Sequence, residues 1–311
     1  MTSDERNPFN LFNFTLYTPR MPDFRPSFLQ GLALGSAFRL SLPREAMRGL
    51  GGARAGAAAG SSLDFLDFRE YHPGDDLRRL DWSVYARTDR EVVKLYREEV
   101  FPRLDIVLDS SRSMDLPGTA KAASALALCG ALAAAAANAG CAAALWTAGE
   151  SVRRVEGASG AEPAAWPLPA LDSSAPPSEG FARERPAFPR AGIRAFVSDL
   201  LFPDDPATVL RPLADGAAAV WVLQVLAPDE ADPAPLGPRR LVDVETGAAL
   251  DAVLDETALS SYRAALAAHR ARWEDAARRH GATLVRCDAP ADPAPADLLS
   301  PLLRSAVLEP L

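Results

Sequence analysis

The sequence predicts an α/β protein: a mostly parallel sheet with helices on both faces, preceded by a charge-dense N-terminal module. Three observations carry that prediction. From residue 104 onward, short apolar runs alternate with amphipathic or alanine-rich stretches, the pattern of strand–helix–strand units. Two of those runs, Leu104 to Asp109 and Ile193 to Asp199, end on an aspartate; sheets of this kind place ligands outside the carboxyl ends of their strands. The chain of 311 residues is 48% apolar, enough to fill the core such a sheet needs.

Residues 1 to about 35 are rich in Phe, Asn and Pro without a clean period, so an extended arm is expected there. Gly51 to Ser62 is a small-residue stretch and reads as a loop. Together they make a first segment, 1–62. Residues 63–102 form the charge-dense module. Within it Pro73-Gly74 suits the centre of a type II turn, with Gly supplying the positive φ. Asp75 or Asp76 would then cap a helix to about Ala86, with Leu77, Leu80 and Val84 on one face and Asp81 in reach of Arg78. The expected role of the module's charges is a structural ion-pair network.

The third segment, 103–311, is the α/β domain. Leu104 to Asp109 is a buried strand and Thr119 to Asn138 an alanine- and leucine-rich helix suited to close packing. No charge falls between Ala122 and Ala148, a membrane-span length. Gly130, Asn138 and Gly140 interrupt it, however, and alanine contributes little to insertion. A buried helix followed by a strand, Cys141 to Thr147, is the better account. Val152 to Val155 reads as a hairpin partner, and 157–191 as mainly loop because Pro, Ala, Gly and Ser dominate it. Then come a strand at Ile193 to Asp199, a short helix at Pro206 to Asp215 capped by Asp204 or Asp205, and a strand at Ala218 to Leu226. A short edge strand follows at Leu241 to Val244, then a long amphipathic helix at Glu256 to His280. The chain closes with a strand at Thr283 to Cys287 and a helix at Leu298 to Val307.

The candidate site is Asp109-x-Ser111-x-Ser113 at the end of the first of these strands. A carboxylate with alternating hydroxyls offers hard oxygen ligands, which suit Mg²⁺. The bland alternative is a loop whose Asp and Ser only cap the next helix; the second strand-end acid, Asp199, favours the metal.

Other chemistries find little support. The net charge of −8 argues against nucleic acid, whose binding needs clustered Lys and Arg. There is no G-x-S-x-G nucleophile elbow and no phosphate-binding P-loop. A phosphoaspartyl enzyme would need an acid where Ser111 stands. His72 is isolated, and His269 and His280 fall on a polar helix where a solvated imidazole is the default. The three cysteines, Cys129, Cys141 and Cys287, are far apart and read as buried thiols rather than a zinc site or disulfide framework. The first residues, MTSDERNPFNLFNF, lack the apolar core of a signal peptide.

The stretch FREYHPGDDLRRLDWSVYART (68–88), followed by VLDSSRSM (107–114), closely resembles the bacterial DUF58 family, relatives of the von Willebrand factor A domains. Arg69, Tyr71, Pro73, Gly74, Asp75, Arg78, Asp81, Trp82 and Arg87 carry its signature. IRAFVSDL (193–200) and LVDVETG (241–247) also look like family positions. The resemblance implies a von Willebrand A-like fold with a metal-ion-dependent adhesion site. By position, Asp109, Ser111 and Ser113 match its first loop and Asp199 its later acid. In such sites the hydroxyls touch Mg²⁺, the acids act partly through waters, and a partner's acid completes the shell. Mn²⁺ and Ca²⁺ are the alternative ions. The second-loop Thr of such sites has no counterpart: 157–191 contains no Thr, and Ser173, Ser174 and Ser178 are the available hydroxyls.

The resemblance also implies a MoxR-type AAA+ ATPase partner and a client protein. The expected function is therefore a non-enzymatic, metal-dependent protein-binding module in the cytoplasm or at the periphery of the inner membrane, with no membrane insertion. The alternatives are a structural adaptor with a degenerate site and a Mg-dependent hydrolase.

Overall fold

The computed structural model describes residues 23–42, 65–72, 80–96, 103–159, 162–234, 237–290 and 295–311. The chain divides into two compact units: residues 1–43 together with 103–311, and residues 44–102.

The larger unit begins with helix α1 (Arg25–Gly35) and strand β1 (Phe38–Leu40). An extended arm was expected here, and the helix is a correction. Its sequence lacks an aliphatic stripe because glycines make its buried face. A Cβ on Gly31 would lie 1.9 Å from the Ala127 carbonyl oxygen, and one on Gly35 2.3 Å from that of Ala131. The helix is therefore specified by close backbone approach to another helix, which period counting does not detect.

The smaller unit pairs β2 (Phe65–Glu70) antiparallel with β3 (Val92–Tyr96), and between them lies α2 (Trp82–Thr88). The expected helix from residue 75 or 76 is corrected: α2 starts at Trp82 with Asp81 as its cap. The Asp81 carboxylate accepts from the backbone N–H groups of Ser83 (2.9 Å) and Val84 (3.2 Å), satisfying two orphan donors of the first turn. The expected turn at Pro73-Gly74, and Asp75 and Arg78, lie outside the described residues, as does the expected loop over 51–62.

The core of the larger unit is a six-stranded sheet. It contains β4 (Arg103–Asp109), β5 (Ala142–Ala148), β6 (Val152–Ser159), β7 (Ile193–Ser198), β8 (Ala219–Leu226) and β11 (Ala282–Asp288). The spatial order is β11-β8-β7-β4-β5-β6. All neighbours run parallel except the edge pair β5–β6. The chain leaves β4 toward β5 and β6, then returns to β4's other side with β7. The switch point of the sheet thus falls between β4 and β7, which bear the two aspartates.

Helices cover both faces. One face carries α3 (Lys121–Asn138), with α1 packed on it, and α8 (Pro295–Arg304). The other carries α4 (Pro177–Arg183), α5 (Ala207–Ala214) and α7 (Glu256–Arg279). A short helix, α6 (Pro228–Ala231), follows β8. By length and composition α3 could cross a membrane, but most of it is buried inside the protein. The segment expected to be mainly loop contains α4. The short edge strand is one arm of a separate hairpin, β9 (Gly237–Val242) with β10 (Ala249–Leu254). The last strand, β12 (Leu308–Pro310), pairs with β1 and closes the N-terminal segment onto the C-terminus. The cysteines are buried free thiols.

Because Gly31 and Ala127 leave no room for a methyl group, Gly31→Ala is expected to destabilise the protein by about 1–3 kcal/mol through overpacking. That outweighs the roughly 1 kcal/mol that helix propensity would return. A urea midpoint that stays put or rises would refute the close helix contact.

Candidate functional site

Strand β4 delivers Asp109, fully buried, to the rim of the sheet. Its Oδ1 accepts from the Ser111 backbone N–H (2.8 Å) and the Ser111 hydroxyl (2.6 Å), closing a tight turn. Its Oδ2 accepts from Ser198 Oγ at 2.6 Å, a contact available only because β7 lies beside β4. Ser111 Oγ lies 3.0 Å from Ser113 Oγ. Burial, then the neighbouring Asp199, push the Asp109 carboxyl up to about 7 against the opposing hydrogen bonds.

The second acid, Asp199, follows β7 in a strained turn where Leu200 has φ +62°. Asp199 Oδ1 accepts from Leu201 N–H at 2.8 Å, and Oδ2 accepts from Lys121 Nζ at 2.7 Å. Lys121 has no exposed surface and also donates to Glu230 Oε1 at 2.6 Å. Burial alone would lower the Lys121 pKa, but Asp199 and Glu230 raise it above the usual lysine range. Lys121 and Glu230 were not anticipated from sequence. A charged residue opening an otherwise apolar helix was the available signal. Behind the turn, His269 is buried and its Nε2–H donates to Leu200 O at 2.6 Å. A solvated imidazole was expected there; the correction arises because α7 turns this face onto the sheet.

The hairpin β9–β10 supplies the rest. Its turn places Glu245 at the site, where it lines one pocket with Ser111, Ser113 and Asp199. Burial, then Asp199 and Asp109, push Glu245 up to about 7. Asp243 holds the turn by accepting from Glu245 N–H (2.9 Å) and Thr246 N–H (3.3 Å). Sequence reasoning marked LVDVETG as a family stretch but gave Glu245 no role.

The hydroxyls considered for the second-loop position are placed as follows. Ser173 lies beside Ser111 in a parallel bridge, but its Oγ donates to Ala175 O at 2.9 Å. Ser178 Oγ donates to Asp204 Oδ2 at 2.6 Å. Ser174 is exposed. Of the signature residues, Arg69 and Arg87 are exposed, Asp81 caps α2, Tyr71 N–H donates to Glu91 O, and Trp82 is 63% exposed.

A pocket of about 100 Å³ opens above Ser111, Ser113 and Asp199, walled by Phe202, Asp243 and Glu245. Organic ligands usually need about 300 Å³ or more. It suits an ion or a side-chain tip better than a substrate.

Two features fit a divalent cation. The donors facing the pocket are hydroxyl and carboxylate oxygens, the hard set that Mg²⁺ takes. The second is convergence: Ser111 and Ser113, with hydroxyl oxygens 3.0 Å apart, line one pocket with Asp199, Asp243 and Glu245. Among the described residues, no group of three or more His, Cys, Asp and Glu forms a metal cluster. Serines supply part of this set, and Asp199 is engaged by Lys121.

Fold and site together define a doubly wound α/β protein with an Asp-x-Ser-x-Ser loop at the switch point of its sheet. The chain belongs to the DUF58 family, whose model, described as "Protein of unknown function DUF58", matches residues 67–272. It is similar to the uncharacterized proteins Rv1480 of Mycobacterium tuberculosis and Mb1516 of Mycobacterium bovis. Each is 29% identical over 255 residues, covering 78% of this chain and 77% of the relative. Among solved structures it resembles BatB from Bacteroides thetaiotaomicron at TM-score 0.29 and 11% identity, covering 66% of this chain and 98% of that one. A von Willebrand factor type A protein from Catenulispora acidiphila gives TM-score 0.30 and 13% identity, covering 81% and 52%.

Lys121→Met is expected to cost about 3–5 kcal/mol, because it leaves two buried carboxylates facing each other without their cation. An unchanged urea midpoint would show that the ammonium is not what neutralises Asp199 and Glu230.

Proposed function

We propose that the chain is a non-enzymatic, Mg²⁺-dependent protein-binding module that works with a MoxR-type AAA+ ATPase on a client protein. The observation that carries this reading is the oxygen-only donor set opening into a pocket too small for an ordinary substrate. Ser111 and Ser113 would hold the ion, and Asp109 and Asp199 would act through water, as the family resemblance implies. The bound ion supplies a Lewis-acid contact for a carboxylate. This chain's residues orient that contact. The ATPase partner and the cytoplasmic or peripheral-membrane setting come from the family resemblance.

A second reading, an adaptor whose site holds no metal, draws on Lys121: its ammonium already sits on Asp199, where an ion's charge would otherwise be needed. A hydrolase is less favoured, because His269 is held by Leu200 and is not among the residues lining the pocket.

Calorimetry with Mg²⁺ and Mn²⁺ separates these readings. The wild type is expected to bind and Asp109→Ala to lose binding; equal affinity in both would remove the metal assignment. Mg²⁺ at a hundred times its Kd should stabilise the wild type by about 2.7 kcal/mol, read as a rise in Tm that Asp109→Ala lacks. Co-purification from the native host is expected to retrieve an AAA+ ATPase, and its consistent absence would remove the partner. Phosphatase or peptidase turnover abolished by Asp199→Ala would replace the binding reading with an enzymatic one.

A further inference from the structure

The hairpin β9–β10 is a two-stranded sheet of its own, with no strand of the six-stranded sheet paired to it. Its turn is nonetheless fastened at the rim. Arg112, inside the Asp109–Ser113 loop, donates through Nη1 to Glu245 O at 3.3 Å and through Nε to Asp172 O at 3.2 Å. Asp243 caps the turn from within, and Gly247 takes the positive φ (+72°) that the turn back into β10 requires. The result is a carboxylate that lines the same pocket as Ser111, Ser113, Asp199 and Asp243. That placement is electrostatically costly unless positive charge arrives, and Lys121 is already shared between Asp199 and Glu230. Of the second loop's candidate hydroxyls, Ser173 and Ser178 are committed elsewhere, Ser174 is exposed, and none of the three lines the pocket.

We propose that Glu245 is an internal carboxylate ligand of the divalent cation at the Ser111–Ser113 site, supplying from the hairpin the protein oxygen that the second loop lacks. This rests on the metal-site reading above. It has a consequence for recognition. With the hairpin docked, the chain's own acid stands at the rim, and an acidic partner reaches the ion by displacing a bound water beside it.

The test compares the full chain with Glu245→Gln and Glu245→Ala. Calorimetry with Mg²⁺ is expected to show affinity falling about tenfold or more in both variants, the scale on which metal sites respond to loss of a supporting group. With Mn²⁺ bound, water-proton relaxation per ion should rise in both, because water takes the vacated position. Acetate should restore the lower relaxation in Glu245→Ala. Glu245→Asp keeps the charge with a shorter reach and should fall between, which covers any folding defect in the neutral variants. Unchanged or tighter Mg²⁺ binding in Glu245→Gln, with unchanged relaxation, would overturn the role of Glu245 while leaving the metal site standing. A wild type that binds neither ion would overturn both.

Discussion

The buried ammonium of Lys121 is the contact on which the rest of the rim depends. It joins the first turn of α3, the turn after β7 and the short helix α6 through two carboxylates, at 2.7 Å to Asp199 and 2.6 Å to Glu230. A buried ion pair is weak evidence of net stability, since desolvation offsets much of the attraction. Its effect here is positional. Glu230 also accepts from Ala227 N–H, Tyr262 donates to the Glu230 carbonyl, and Gln224 donates to the Asp199 carbonyl at 3.1 Å. The strained Leu200 turn persists because all of these hold it, with His269 behind.

Backbone proximity plays the corresponding part on the far side of the molecule. Alanine-rich α3 turns Ala127, Gly130 and Ala131 to α1, which approaches until Gly31, Gly35 and Gly130 have no space for a side chain. The same composition makes α3 resemble a membrane span in length and apolarity. In a protein interior, small side chains serve dispersion contact between closely spaced helices. Asn138 then fixes the end of α3, donating to the carbonyls of Ser36 (3.0 Å) and Phe38 (2.7 Å).

At the site itself, the balance of charge decides what chemistry is available. Lys121 pairs with Asp199 and Glu230, while Asp199, Asp243 and Glu245 line one small pocket. Carboxyls pushed toward neutrality are often catalytic acids or bases. Here Asp109 is held by the hydroxyls of Ser111 and Ser198, and the pocket beside Asp199 and Glu245 is below substrate size. On the proposed reading, these oxygens serve a cation and a partner's carboxylate rather than turnover.

Much of this was legible in the sequence, for local reasons. The apolar runs from residue 104, each ended by an acid or a turn residue, specify strands; the Asp-x-Ser-x-Ser spacing specifies its own turn through side-chain-to-backbone bonds within three residues. The module's stretch at 68–88 specifies the family. What the chain could not disclose by itself was everything set by separation in sequence. That β7 lies beside β4, so that Ser198 reaches Asp109, follows from strand order. That Lys121 meets Asp199 and Glu230, 78 and 109 residues away, follows from where α3 enters the sheet. Glu245 arrives on a hairpin outside that sheet, and α1 is specified by absent side chains rather than by a hydrophobic stripe. Local hydrogen bonding and side-chain period are written along the chain; which distant oxygens share one cavity is decided only when the layers pack.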